Sequence, residues 1–303
     1  MLDFRIETFL QVCKHMNFTK ASEELNITQP AVSQHIKYLE NYYNTKLFTH
    51  EGKKLILTEE GRILHSVSIT MINDENNLRK QFLNMSNALS ELRFGATRTI
   101  GEVMVSDILS DYLRRYPDTH VYMKASNTKE LLKSLENGDI DFALVEGYFR
   151  KSEYDYLHYS REKFIAVCSP FYKWDKKPET IEDLFNERLL IRENGSGTRE
   201  ILERYLESYN YNVKNFSNKA EIGSIHTIIE LAKSGCGITF LYEAAVKDEI
   251  QNGNLIPIKI KDFNVEHDFA FIWRKGSTYS DVYKTFFERF QNVNKVSITG
   301  YNL

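Results

Sequence analysis

Over residues 3–14 apolar side chains return every three or four positions, at Ile6, Phe9, Leu10 and Cys13, which predicts an amphipathic helix ended by Asn17 or Phe18. Thr19 to Leu25 reads as a short second helix with Ala21 and Leu25 inward, and Asn26-Ile27-Thr28 as a tight turn. Thr28 can cap a third helix, in which Pro30 falls in the first turn, where a missing N–H leaves no bond unmade. Val32, Ile36 and Leu39 mark its inner face to about residue 41. The outer face carries Gln29, Ser33, Gln34 and Lys37, whose amides, hydroxyl and ammonium suit the base edges of a DNA major groove. Any solvated three-helix unit also presents a polar face, so periodicity alone leaves both readings open. Beyond it, Lys46-Leu47-Phe48 and Leu55-Ile56-Leu57 read as short strands around Glu51-Gly52-Lys53-Lys54, a wing-like turn suited to phosphate contact.

The pattern then changes twice. Leu64, Val67, Met71, Leu78, Phe82, Met85 and Leu89 step by threes and fours with Glu75 in the skipped position, the spacing of a coiled-coil seam. Such a seam packs on its own chain or pairs with its twin. From Glu91 strands and helices alternate: strand 92–95, helix 100–116, strand 119–124, helix 128–136 and buried strand 141–145. The same order recurs as strand 189–191, helix 198–208, strand 219–222, helix 224–234 and strand 238–241. This alternation predicts two α/β lobes with a substantial parallel sheet. Phe164–Val167 and Phe269–Ile272 are natural crossover strands, and a helix over about 279–293 returns to the first lobe.

Composition narrows the function classes without choosing one. The 303 residues are 42% hydrophobic and 27% charged, as expected of a globular chain of two or three units, and no apolar run approaches bilayer length. The first residues lack the pattern of a signal peptide, so a cytoplasmic protein is expected. Cys13, Cys168 and Cys236 have no paired spacing, which argues against disulfides and against a zinc site. The net charge of −3 decides little, and between Thr28 and Lys54 four lysines face two glutamates. So small an excess makes single-copy DNA binding weak and implies two or more copies.

Catalysis finds no support. Gly195-Ser196-Gly197-Thr198 lacks the lysine of a phosphate-binding loop, and no GxGxxG follows the first strand. No His-Glu-x-x-His is present, His226 stands alone, and Ser196 has no evident partner histidine. Neither an enzyme nor a cofactor or metal site is expected. A stand-alone solute-binding protein would share the two-lobed plan, yet it leaves residues 1–90 unexplained. Ligands of α/β lobes sit at the carboxyl ends of strands, where helices begin. Three junctions fit: Gly95 to Gly101, Ser126-Asn127-Thr128, and Arg192 to Arg199. Helix capping alone would account for any one of them.

The ordered run Phe18-Thr19-Lys20-Ala21, Leu25, Thr28-Gln29-Pro30-Ala31-Val32-Ser33, Leu39-Glu40, Leu47-Phe48 and Leu57-Thr58-Glu59-Glu60-Gly61 resembles the LysR-type transcriptional regulators. Ser22 stands where the family repeats alanine and His50 where its wing has arginine, which weakens one phosphate contact. The resemblance implies an α+β multidomain chain. Its parts would be an all-α-type winged helix-turn-helix over 1–60, a linker and dimerisation helix over 61–89, and a two-lobed α/β, periplasmic-binding-protein-like effector domain over 90–303. Lobe I would take about 90–161 and 268–303, lobe II about 162–267. It also implies double-stranded DNA as partner, a homodimer or homotetramer, and no membrane. Carried over residue by residue, Gln29 and Gln34 would read base edges, Pro30 and Ala31 would touch thymine methyls, and Ser33 and Lys53 would hold phosphates.

Asn127-Thr128, Gly138 to Asp141, Val145-Glu146-Gly147 and Ala232 to Ile238 extend the resemblance. With Thr97 to Gly101 and Gly195 to Arg199 they are most similar to the branch controlling sulfur assimilation and carbon fixation, although Ser106 stands where that branch has proline. This implies a small, anionic effector held by Thr97, Thr99, Asn127, Ser196 and Thr198, with Arg98 or Arg199 adding charge or facing solvent.

Overall fold

The computed structural model describes residues 3–83, 91–261 and 263–299, which form two compact units. The first contains residues 3–83 with Glu136–Gly138 and Arg274–Ser280. It opens with α1 (Phe4–His15), α2 (Phe18–Leu25) and α3 (Gln29–Tyr42). Each starts on a side-chain cap that satisfies an otherwise unmade backbone donor: Asp3 accepts from Arg5 N at 2.9 Å, Asn17 from Thr19 N at 2.9 Å, and Thr28 from Ala31 N at 3.4 Å. Ile6, Phe9, Val12, Ala21, Val32, Ile36 and Leu39 pack with Leu47 and Phe48 into one core. A hairpin follows, β1 (Phe48–Glu51) antiparallel to β2 (Lys54–Leu57), with Glu51 opposite Lys54 and Gly52 at φ +60° in the turn. The first wing strand thus begins two residues later than the hydrophobic run suggests. Leu47 is core and Lys46 pairs with Glu40 at 2.6 Å, so Lys46-Leu47-Phe48 is mostly the approach to the strand.

Helix α4 (Glu59–Leu83) exposes Ile63, Val67, Met71, Leu78 and Phe82 along one stripe. Leu64 instead turns into the core of its own unit together with Ile72, so the exposed seam starts at Ile63; Met85 and Leu89 lie outside the described residues. Within this unit Asp74 accepts from Ser277 Oγ at 2.8 Å, Thr278 N at 2.7 Å and Thr278 Oγ1 at 2.8 Å.

The second unit alternates as expected. Its elements are β3 (Glu91–Thr97), α5 (Arg98–Val103), α6 (Val105–Arg115), β4 (His120–Ser126), α7 (Thr128–Asn137), β5 (Phe142–Val145) and the long β6 (Tyr154–Cys168). Then come β7 (Arg188–Ile191), α8 (Gly197–Ser208), β8 (Asn218–Glu221), α9 (Ile225–Lys233), β9 (Ile238–Tyr242), α10 (Glu243–Gln251), β10 (Ile256–Pro257), β11 (Val265–Arg274) and α11 (Ser280–Thr299). The strands join in one mixed sheet in the order β4-β3-β5-β11-β6-β9-β7-β8, with β10 beside β6. Four pairings are parallel, β3 with β4 and β5, and β7 with β8 and β9. The pairings of β11 with β5 and of β6 with β9 are antiparallel, as crossover strands require.

The helix expected over Ile100–Tyr116 is two helices meeting at Met104. Ile100, Met104, Ile108 and Tyr112 keep a four-residue step straight through that break, so periodicity cannot register it. One lobe is built on Phe94, Phe142, Phe271 and Phe286, together with Leu131 and Leu135 of α7 and Ile140; the other on Val167, Leu190, Ile228 and Leu241.

Candidate functional site

Two surfaces answer to the chemistry expected from the sequence. In the first unit, the cap at Thr28 and the burial of Val32, Ile36 and Leu39 fix the rotation of α3. Gln29, Pro30, Gln34 and Lys37 are therefore exposed, while Ala31 and Ser33 are half-buried. Gln29 Nε2 donates to Ser33 Oγ at 2.9 Å, which holds the amide along the helix face. Lys53 is exposed at the hairpin tip beside Gly52. The face of α3 and the wing thus stay clear of their unit's core.

The second surface is polar and buried. Thr97 ends β3, Thr99 lies in the first turn of α5, Asn127 and Thr128 open α7, and Ser196 and Thr198 open α8. All but Asn127 are buried. Thr99 Oγ1 lies 3.3 Å from Thr198 Oγ1, which brings hydroxyls from the two lobes together. Asn127 is half-buried and spends its Oδ1 on Glu130 N at 2.9 Å, as a helix cap does. Lys129 N donates to Gly195 O at 3.5 Å, and Gly195 sits at φ +90°.

At the centre lies Glu146, just past the end of β5 and 1% exposed. Its Oε1 accepts from Thr198 Oγ1 at 2.8 Å, and Tyr242 Oη donates to its carbonyl at 3.4 Å. Burial pushes its carboxyl above the ordinary glutamate value; bonds from Thr99 and Thr198 and the charge of Arg192 oppose that shift without cancelling it. Arg192, 2% exposed, pairs with Glu193 through Nε at 2.9 Å. Five buried polar atoms here have no hydrogen-bond partner: Thr97 Oγ1, Thr128 Oγ1, Ser196 Oγ, Glu146 Oε2 and Arg192 Nη1. Buried polar groups are nearly always bonded, so these five atoms, drawn from strand ends and helix starts of both lobes, are candidates for contact with a polar ligand.

Glycines let the backbones close on this cluster. A Cβ at Gly197 would lie 2.8 Å from Gly147 Cα and N, and one at Gly147 would lie 2.5 Å from Thr128 Oγ1. Arg98 donates to Gly223 O, and Arg199 is taken by Glu203 at 2.8 Å and Glu221 at 2.7 Å. Neither arginine simply faces solvent. Glu146, Arg192 and Thr128 are not among the ligand contacts that the sequence suggests, although a charged residue between a buried strand and a glycine, as in Val145-Glu146-Gly147, is a usable signal.

Among the described residues no helix is long and apolar enough to cross a membrane. Comparison with known proteins bears on both surfaces. Residues 5–62 match the model of the bacterial regulatory helix-turn-helix protein, lysR family, and residues 87–295 that of the LysR substrate binding domain. The HTH-type transcriptional regulator CysL of Bacillus subtilis is 28% identical over 269 residues, covering 88% of this chain and 89% of that protein. Among solved structures, full-length LysG from Corynebacterium glutamicum with bound effector Arg superposes with a TM-score of 0.66 at 16% identity, covering 97% of this chain and 96% of that one. The CcmR regulatory domain of Synechocystis in complex with 2-PG gives 0.59 at 21% identity, over 68% of this chain and 97% of that one. At such identities the structural likeness speaks to the fold.

Proposed function

Since the chain belongs to the LysR family of DNA-binding transcriptional regulators, with a helix-turn-helix ahead of an effector-binding domain, we propose that a small anionic metabolite bound at the Thr99–Thr198 cluster controls how it holds DNA. The observation that carries this reading is the set of five unpartnered buried polar atoms, contributed by both lobes. Hydroxyls, the N-termini of α7 and α8 and the free Nη1 of Arg192 favour a compact oxyanion or small carboxylate. Thr97, Thr99, Asn127, Ser196 and Thr198 are its proposed contacts, with Arg192 added. The CcmR regulatory domain was solved in complex with 2-PG and LysG with bound effector Arg, which supports a small-molecule effector for this fold. Titration calorimetry with sulfite, thiosulfate, O-acetylserine and phosphorylated sugars tests the site. The Thr99→Val, Ser196→Ala double variant should lose at least tenfold in affinity for whichever anion binds. Unchanged affinity would place the effector elsewhere.

On the DNA side, Gln29 and Gln34 read base edges, Pro30 and Ala31 contact thymine methyls, and Ser33 and Lys53 hold phosphates. The exposed stripe of α4 pairs two copies, setting two recognition helices about one DNA turn apart. The protein works in the cytoplasm as a homodimer or homotetramer, and a ligand-driven change in how the lobes meet alters DNA bending. Gln29→Ala should relax base preference by about 1–3 kcal/mol at one position, whereas Lys53→Ala should weaken all duplexes alike and reduce the salt slope by about one. Salt-dependent binding to cognate and scrambled duplexes separates the two. Wild-type behaviour from both variants would remove α3 and the wing as the reading surface.

A further inference from the structure

An anion site with a carboxylate at its centre poses an electrostatic problem. Arg192 and Arg98 bring two positive charges near the cluster, and Glu146 with Glu193 bring two negative ones. With Glu146 ionised these four charges sum to zero. The hydroxyl of Thr198 is then committed to its Oε1, and that of Thr99 to Thr198, rather than to a ligand. An incoming anion would face a second buried negative charge in a low-dielectric site, where like charges repel most strongly. A protonated Glu146 reverses each term. The same four groups then carry one net positive charge, the threonine hydroxyls can turn to the ligand, and Oε2, which has no partner in this structure, can carry the proton and donate it in a hydrogen bond.

Resting on the anion-site reading above, we propose that effector binding is proton-linked: Glu146 takes up one proton from solvent as the anion enters, so the site binds an anion and a proton together. Geometry supports this on every side. Glu146 is buried at the end of β5, between the hydroxyl of Thr198 on α8 and the guanidinium of Arg192 after β7. Tyr242 on β9 donates to its carbonyl, so the backbone is anchored while the carboxyl can change state. A further titratable neighbour is His267 on β11, whose ring meets the Glu146 backbone. Burial holds it below the ordinary imidazole value, opposed by Asp268 and Glu200 and assisted by Arg204. Tyr148, Glu162 and Glu200 act on Tyr242 from further out. Burial already raises the Glu146 carboxyl, and a neighbouring anion raises it further, so the pair favours acid conditions.

The test is calorimetry on the full chain with sulfate and with thiosulfate, whose own charges do not change between about pH 5.5 and 8. Each titration is run in two buffers of different ionisation enthalpy. Above the Glu146 pKa, wild type should take up about one proton per anion and lose about tenfold in affinity per pH unit. Glu146→Gln should take up none and bind about equally at every pH, while His267→Gln should keep the wild-type profile. Wild-type binding without proton uptake, as when an ionised Glu146 merely swings aside, overturns the proposal even if the variant fails to fold. So does a pH dependence that survives in Glu146→Gln or disappears in His267→Gln. Failure of both anions to bind either chain at any pH overturns the anion-site reading itself, and this proposal with it.

Discussion

Replacing Gly197 by valine is expected to abolish anion binding and to lower the melting temperature of the second unit. A Cβ at this position falls 2.9 Å from Glu146 Cγ and 2.8 Å from two backbone atoms of Gly147, the latter separations that no rotamer change relieves. Either α8 or the segment after β5 must move, and both carry the cluster: Ser196 and Thr198 on one side, Glu146 on the other. A shift of about 1 Å breaks the 2.8 Å bond from Thr198 to Glu146 and the 3.3 Å approach of Thr198 to Thr99. Overpacking of this kind costs about 1–3 kcal/mol. Thermal unfolding followed together with calorimetric anion binding decides the matter: wild-type melting with wild-type affinity would mean that the lobes do not meet this closely in solution.

Phe142→Ala should produce the largest loss of stability. Phe142 is 1% exposed on β5, stacked against Phe271 at 4.6 Å and Phe94 at 5.5 Å, with Phe286 of α11 at 5.7 Å. Three elements distant in sequence thus converge on one ring. Truncating such a side chain removes its transfer free energy and leaves a cavity its neighbours cannot fill, a loss of about 3–5 kcal/mol. For a unit of this size that is a fall of about 10 °C in melting temperature. Differential scanning calorimetry should show the second unit affected, and a fall under about 3 °C would mean that the aromatic nest repacks.

Much of this arrangement can be read from residue order alone, because local physics sets it. The cap at Thr28 and the inward set Val32, Ile36 and Leu39 place α3 to within a residue, and continuous apolar runs such as Phe142 to Val145 mark strands buried on both faces. Legibility ends where tertiary contacts override pattern. Ile63 and Leu64 are both apolar neighbours on α4, and only the folded unit decides that Leu64 turns inward. The exposed β1 residues Thr49, His50 and Glu51 carry no apolar alternation, so the wing strand is misplaced by its own composition. At the candidate site, hydroxyls beside helix starts are visible in sequence, whereas Glu146 and Arg192 acquire their character from burial.

Both lobes share β6 and β11, fifteen and ten residues long, which lie side by side at the middle of the sheet. Their ladders fix register on each flank, Ala270 opposite Val145 and Ile165 opposite Leu241. Sliding would flip every side chain to the wrong face, so it is forbidden. The freedom that remains is torsion: the two ribbons can wind or unwind along their natural twist. A ligand that drew the two lobes together would therefore be expected to act by twisting this pair of strands through small angles.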